Sequence, residues 1–291
     1  MQSEFDSLPE LTTYPLRHGL SFNLLVVGRS STGKTTLINS LFDFDFGDPE
    51  RRNDDVDLVV KEFRPTNDEF DMRLTIIEAK GLGNRADGSR TFEPILDHIE
   101  TQYEQHFENE LKGQVPRYYD SADKRIHCCI YLISPLGPKP LDILTMKQLG
   151  HRVCLVPVIA KSDMVAEQRI QQLKEEIRQK IKVYGIEVYN TNDSIQLPLA
   201  VTGGNEIIME KGKRQRVRAH PTGLVHIEKY SETPKLRDLV LKGMLSLKES
   251  TNRIHFQEYR KIHTNDSKAF KNWTDEKNRT ISENEQNSMM V

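Results

Sequence analysis

The stretch from Leu24 to Phe42, LLVVGRSSTGKTTLINSLF, limits the possible folds of this chain more than any other. An apolar run, Leu24 to Val27, leads into Gly28-x-x-x-x-Gly33-Lys34-Thr35, and an amphipathic segment carrying Leu37, Ile38, Leu41 and Phe42 follows. This is the order strand, phosphate loop, helix. Gly28 and Gly33 permit backbone conformations that a Cβ would forbid, so successive N–H groups can turn inward around a phosphate chain. The predicted cradle comprises Gly28, Arg29, Ser30, Ser31, Thr32, Gly33, Lys34, Thr35 and Thr36. Lys34 can reach the β- and γ-phosphates, Thr35 offers a hydroxyl to Mg²⁺, and the following helix aims its positive end at the same place.

The rest of the chain has to supply a sheet for that strand. With 291 residues, 36% of them apolar, there is material for one large α/β domain or two small ones, and the formal net charge of −2 argues against a dedicated nucleic-acid binder. No stretch approaches the roughly 18 uninterrupted apolar residues of a membrane span, and MQSEFDSLPE lacks the basic-then-apolar order of a signal peptide, so a cytoplasmic location is expected. Cys128, Cys129 and Cys154 sit in apolar runs without metal-ligand spacing and read as buried thiols.

Taken in order, residues 1–19 read as a loose arm, and the acidic stretch 43–57 as an exposed loop beside the nucleotide. Leu58 to Arg64 and Phe70 to Ile77 bracket Pro65-Thr66-Asn67-Asp68 and predict a hairpin. Ser89 to Lys112 has helical spacing, with His98 and His106 expected on its wet side. Ile126 to Ile133 and Val153 to Ile159 are continuous apolar runs of the kind found in parallel strands covered on both faces. A short helix is expected between them. Met164 to Tyr184 predicts a helix stopped by Gly185, and Gln196 to Val201 a further strand. The alternation gives a three-layer, doubly wound, mostly parallel sheet. Residues 202 to 230 break the rhythm as an added hairpin, a helix is expected from Pro234 to about Arg260, and the polar tail reads as disordered.

A phosphate loop does not choose between ATP and GTP. At the end of the run 153–159 stands Ala160-Lys161-Ser162-Asp163. A carboxylate there can accept both the ring N–H and the exocyclic amine of guanine, a donor pair that adenine lacks, while the lysine stem covers the ring.

At this point the sequence resembles the septins, filament-forming guanine-nucleotide-binding P-loop proteins, over roughly residues 16 to 262. GRSSTGKTT, PILDHIETQYEQ, RIHCCIYLISP, KPLDILTMKQL and VPVIAKSD follow that family, and PLAVTGGNE, GKRQRVRAHPTG and LRDLVLKGMLSLKESTNRIHFQEYR resemble its C-terminal unique element and closing helix. The resemblance implies an arm (1–19), a GTP-binding domain of P-loop GTPase type (20–262, with the β-hairpin and helix extension at 202–262) and a tail (263–291). It also implies that Lys161, Asp163, Gly203 and Arg218 surround guanine, with Arg218 stacked on the base. By composition alone the basic run 211–218 also suits nucleic acid or lipid; the resemblance puts it in a hairpin beside the nucleotide.

The chain departs from the family pattern at the switch positions. Glu78-Ala79-Lys80-Gly81 replaces Asp-Thr-Pro-Gly, and Asp55 stands where hydrolysing members carry a Mg²⁺-binding Thr. Thr222 replaces an aromatic anchor at the guanine-side subunit contact, the loop Ser134 to Pro140 lacks a histidine directed at the neighbouring subunit, and Met164 replaces a Thr. Only Arg17 and His18 remain of a basic cluster implicated in membrane contact, so membrane binding is expected to be weak or absent. The resemblance therefore implies a cytoskeletal subunit of septin assemblies, associated with cell division. It would hold GTP or GDP at an interface with other septin subunits, with weakened Mg²⁺ binding and slow or absent hydrolysis. An actively cycling regulatory GTPase is the competing expectation.

Overall fold

A computed structural model describes residues 20–42, 46, 55–64, 72–84, 91–112, 123–191, 195–204, 206–210, 213–220 and 223–265. The first strand, β1 (Leu20–Gly28), is buried along its whole length and pairs in parallel with β3 (Met72–Lys80) on one side and β4 (Cys128–Ile133) on the other. Outside β3 lies β2 (Asp57–Phe63), antiparallel, and outside β4 lie β5 (Leu155–Ile159) and the two-residue β6 (Leu199–Ala200), both parallel. The sheet order is β2-β3-β1-β4-β5-β6.

Side-chain alternation along β1 divides the interior. Leu20, Phe22, Leu24 and Val26 face the layer formed by α1 (Lys34–Phe42) and, from the end of the chain, α6 (Thr233–Lys242) and α7 (Met244–Ser250). Leu25 and Val27 face α2 (Glu93–Leu111), α3 (Pro140–Gly150) and α4 (Glu167–Tyr184), together with Phe256 of α8 (Phe256–Asn265). Two covered faces explain why the inner strands read as unbroken apolar runs. The expected three-layer, doubly wound architecture is present. Among the described residues, no helix is long and apolar enough to cross a membrane.

Several local expectations need correction. The chain after residue 202 forms a three-stranded antiparallel sheet, β7 (Glu206–Glu210), β8 (Lys213–His220) and β9 (Gly223–His226), followed by the short α5 (Ile227–Tyr230), rather than a single hairpin. The closing helix is not continuous: it breaks at Gly243, where a Cβ would lie 2.2 Å from the Leu239 carbonyl oxygen, and passes through a wide turn at Thr251–His255 before α8. The strand expected over Gln196 to Val201 pairs only at Leu199 and Ala200.

His106 is not on a wet face. Its side chain is 10% exposed and meets the Phe256 ring edge-on at 4.9 Å, while His98 is half-buried. His106 borders a buried polar cluster at the sheet edge opposite the phosphate loop. Asp123 there accepts from Arg125 through both carboxylate oxygens (2.9 Å each) and from His127 Nε2 (3.1 Å), with Lys248 Nζ at 3.4 Å. His127 Nδ1 accepts the backbone N–H of Asn23 at 3.0 Å. Burial pushes the Asp123 carboxyl up, but the His127 imidazole and the Arg125 guanidinium outweigh it and hold the pKa well below the usual range. The expectations for residues 1–19, the turn at 65–68, Thr222 and the tail from 266 lie outside the described residues.

Candidate functional site

The phosphate loop leaves β1 where the sheet changes direction, since the elements after α1 build outward on one side of β1 and those from β4 onward on the other. Ligands of such sheets bind at the strands' carboxyl ends at this switch point. Gly28 is required there: its φ is +156°, and a Cβ would lie 2.8 Å from the Leu132 carbonyl oxygen of β4. Gly33 (φ +92°) and Ser31 (φ 65°) also take left-handed conformations. The Thr32 hydroxyl donates to the Arg29 carbonyl at 2.8 Å, and Lys34 Nζ donates to the carbonyls of Gly28 (2.9 Å) and Arg29 (3.2 Å). Burial lowers the Lys34 pKa to about 8, partly opposed by the Glu78 carboxylate.

Ser30 through Thr36 line a cleft of about 1000 Å³ that Glu78, Lys80, Gly81, Lys161, Gly203, Glu206 and Arg218 also line. Below the loop, the Thr35 hydroxyl donates to Glu78, its oxygen 2.8 Å from Oε1 and 3.0 Å from Oε2. Lys80 Nζ stands 3.9 Å from Glu78 Oε2. Gly81 turns the chain with φ +88° at the end of β3. Asp55 is exposed, just before β2, and is not among the residues lining the cleft.

At the other end of the cleft, Lys161 takes a left-handed conformation (φ 52°) and donates through Nζ to the Ser31 carbonyl at 2.7 Å, tying the loop after β5 to the phosphate loop. Asp163 opens with its carboxylate nearly covered, the side chain 4% exposed. Its Oδ1 accepts from Arg218 Nη1 and from the Thr202 hydroxyl, both at 3.1 Å, while the buried Oδ2 has no hydrogen-bond partner among the described residues. Arg218 thus pairs with the carboxylate through one nitrogen. Gly203 packs directly on α1, since a Cβ there would lie 2.9 Å from the Thr36 carbonyl carbon and oxygen.

Lys161, Asp163, Gly203 and Arg218, far apart in sequence, are thus brought together beside the phosphate loop, and Glu78 joins Thr35. Asp55 is not brought to them. Thr202 escaped the sequence reading: buried, held by Thr233 through its backbone, it orients Asp163. A hydroxyl after a short strand has no local signature. Arg29, expected in the phosphate cradle, is not among the residues that line the cleft, and its Nε stands 3.5 Å from the buried Asp142 of α3. Arg237 of α6 was also missed. It donates to the carbonyls of Leu41 (3.1 Å) and Ser40 (2.9 Å), capping the carboxyl end of α1.

A phosphate loop at the switch point of a doubly wound sheet defines a P-loop α/β protein. The sequence model of the septin family matches residues 18–272, and the chain belongs to that family. Septin-1 from Drosophila melanogaster is 35% identical over 285 residues, covering 88% of this chain and 78% of its own length. Septin-14 from Homo sapiens is 33% identical over 276 residues, covering 88% of this chain. The chain spans 64% of human Septin-14 and 57% of human Septin-8. Its fold is similar to the crystal structure of a septin GTPase domain from Chlamydomonas reinhardtii, with a TM-score of 0.66 at 22% identity, over 83% of this chain and 98% of that one.

Proposed function

We propose that this septin-family protein binds GTP or GDP in the cleft and uses the nucleotide chiefly to hold a subunit interface within cytoskeletal septin assemblies, with hydrolysis slow or absent. The observation that carries guanine selectivity is the buried, unpartnered Oδ2 of Asp163. A buried carboxylate oxygen without a donor is costly, and the N–H pair of guanine satisfies it where adenine offers an acceptor instead. In this reading Arg218 keeps its hold on Oδ1 or moves over the base, and the sheet β7-β8-β9 serves the guanine-side contact. That sheet borders the cleft through Glu206 and Arg218 and exposes Ile207, Met209 and Leu224.

The residues fit Mg²⁺ poorly. Thr35 is the expected ligand, but the carboxylate that would hold the ion's water, Glu78, already accepts the Thr35 hydroxyl and faces the Lys80 ammonium. Asp55 stands outside the cleft lining and brings no hydroxyl to the γ-phosphate. Phosphoryl transfer relies on positioned charge and an oriented water. Among the described lining residues the carboxylates are Glu78, engaged as above, and Glu206, exposed on β7. Neither is placed to orient that water.

The test is to identify the nucleotide released from denatured purified protein, then to follow a single turnover of GTP-loaded protein. GTP or GDP in the denatured extract is expected, with phosphate release well below the roughly 10⁻⁴ s⁻¹ of unaided small GTPases. Adenine nucleotide in the extract, or release at or above that rate, would overturn the corresponding half of the reading.

A further inference from the structure

Lys80 ends β3 with its side chain 15% exposed, directed into the phosphate end of the cleft. Its ammonium lies 3.9 Å from Glu78 Oε2, and the same carboxylate accepts the Thr35 hydroxyl through both oxygens. The charges of Glu78 and Lys80 both act on Lys34, so the carboxylate sits among a hydroxyl and two ammonium groups. Three features follow from this arrangement. The carboxylate has little negative potential left to hold the water shell of a divalent cation. A second positive ion placed beside Thr35 would be repelled by Lys80. And a lysine is itself a compact, strongly charged phosphate partner, held at the site whether or not a ligand is bound. Mg²⁺, by contrast, loses its water reluctantly and depends on one or two protein carboxylates plus the phosphates.

We propose that Lys80 is the resident counter-cation for the polyphosphate of the bound guanine nucleotide, so that nucleotide is held without Mg²⁺. The inference rests on the cleft being a GTP or GDP site. Among the described residues, Lys34, Lys80, Lys161 and Arg218 stand against Glu78 and Glu206 in the lining and against Asp163, which pairs with Arg218, so the cations still outnumber the carboxylates where a polyphosphate would lie.

The experiment measures GDP affinity of the full chain, stripped of nucleotide, in Mg²⁺ and in EDTA. It is run for the natural protein, Lys80→Gln and Lys80→Arg, with a thermal melt of each to confirm folding. The natural protein is expected to differ by less than about threefold between the two buffers, and Lys80→Arg to behave the same way. Lys80→Gln is expected to bind about tenfold or more weakly in EDTA and to recover part of that loss in Mg²⁺. A natural protein that loses about tenfold or more in EDTA overturns the inference, as does a folded Lys80→Gln that binds GDP in EDTA as tightly as the natural protein. If Lys80→Gln does not fold, the natural protein's comparison decides alone. Failure to bind GDP in either buffer removes the reading of the cleft and this inference together, whereas sensitivity to EDTA removes only the inference.

Discussion

Asp163 shows how neighbouring side chains orient a single carboxylate. Thr202 and Arg218 share Oδ1, each at 3.1 Å, while Oδ2 is buried without a donor. In the proposed reading the side chain is oriented before a base arrives, and the second oxygen is left to accept from a ring that donates. Asp163→Asn turns one acceptor into a donor, which removes a charge-assisted pair and faces the guanine amine with N–H groups. It is expected to weaken GDP or GTP binding by on the order of 2 kcal/mol, roughly thirtyfold, while leaving any ATP binding unchanged. Competition binding with both nucleotides reads this out; equal weakening for the two would mean that Asp163 only supports the loop. Lys161 has a different part. By reaching the Ser31 carbonyl it braces the phosphate loop from the end of β5, one strand beyond β4.

At the scale of elements, the sheet has a working edge and a structural edge. The carboxyl ends of β1, β3 and β5 carry Gly28, Gly81 and Lys161, whereas the opposite edge is closed by the cluster around Asp123. Burial lowers the pKa of His127 and of His106 to about 4, against the ordinary 6.5, despite the attraction of Asp123. Both histidines are neutral in the fold at pH 6.5 and titrate normally when unfolded, so between pH 6.5 and 4 the unfolded state binds more protons. Stability is then lost as pH falls through that window, by roughly 3 kcal/mol for His127 alone. Asp123 adds its own loss only below the ordinary carboxylate range. Thermal melts from pH 7 to 4.5 should show the midpoint falling steadily below pH 6.5, and His106→Phe should flatten the slope. A midpoint constant over this range would contradict the assignment. His106 also marks a limit of sequence reading. A helical period places it, but whether its face is wet depends on Phe256, supplied by a helix near the other end of the described chain.

For the whole molecule, the exposed apolar residues fall in separate regions. Among the described residues they include Ile207, Met209 and Leu224 on the sheet β7-β8-β9 and Ile254 and Ile262 on the last helical segments, with others such as Leu136 and Val183 elsewhere on the surface. The septin resemblance leads to the expectation of two assembly surfaces, one at the nucleotide and one built from the chain ends, and Thr222 in place of an aromatic anchor, with the missing loop histidine, should make the guanine-side contact favour a different septin over a second copy of this chain. Light scattering of the protein alone and mixed with another septin tests this; a tight homodimer indifferent to the added partner would rule it out.

The inner strands and the phosphate loop were legible because their signals are local: runs such as Ile126 to Ile133 report burial on both faces, and GRSSTGKTT reports its own conformation. The break at Gly243 was not, because the apolar period continues across it. Nor was Thr202, whose role is defined by contacts with Asp163 and Thr233.

Arg237 carries one more consequence. The helix that completes the phosphate cradle ends on carbonyls capped by a residue 196 positions downstream, and Ser21 of the first strand receives Lys248 from 227 positions away. The cradle sequence therefore leaves a ribosome well before the segments that complete its scaffold. A polypeptide halted before α6 would leave the first core layer uncovered and the last carbonyls of α1 without their cap.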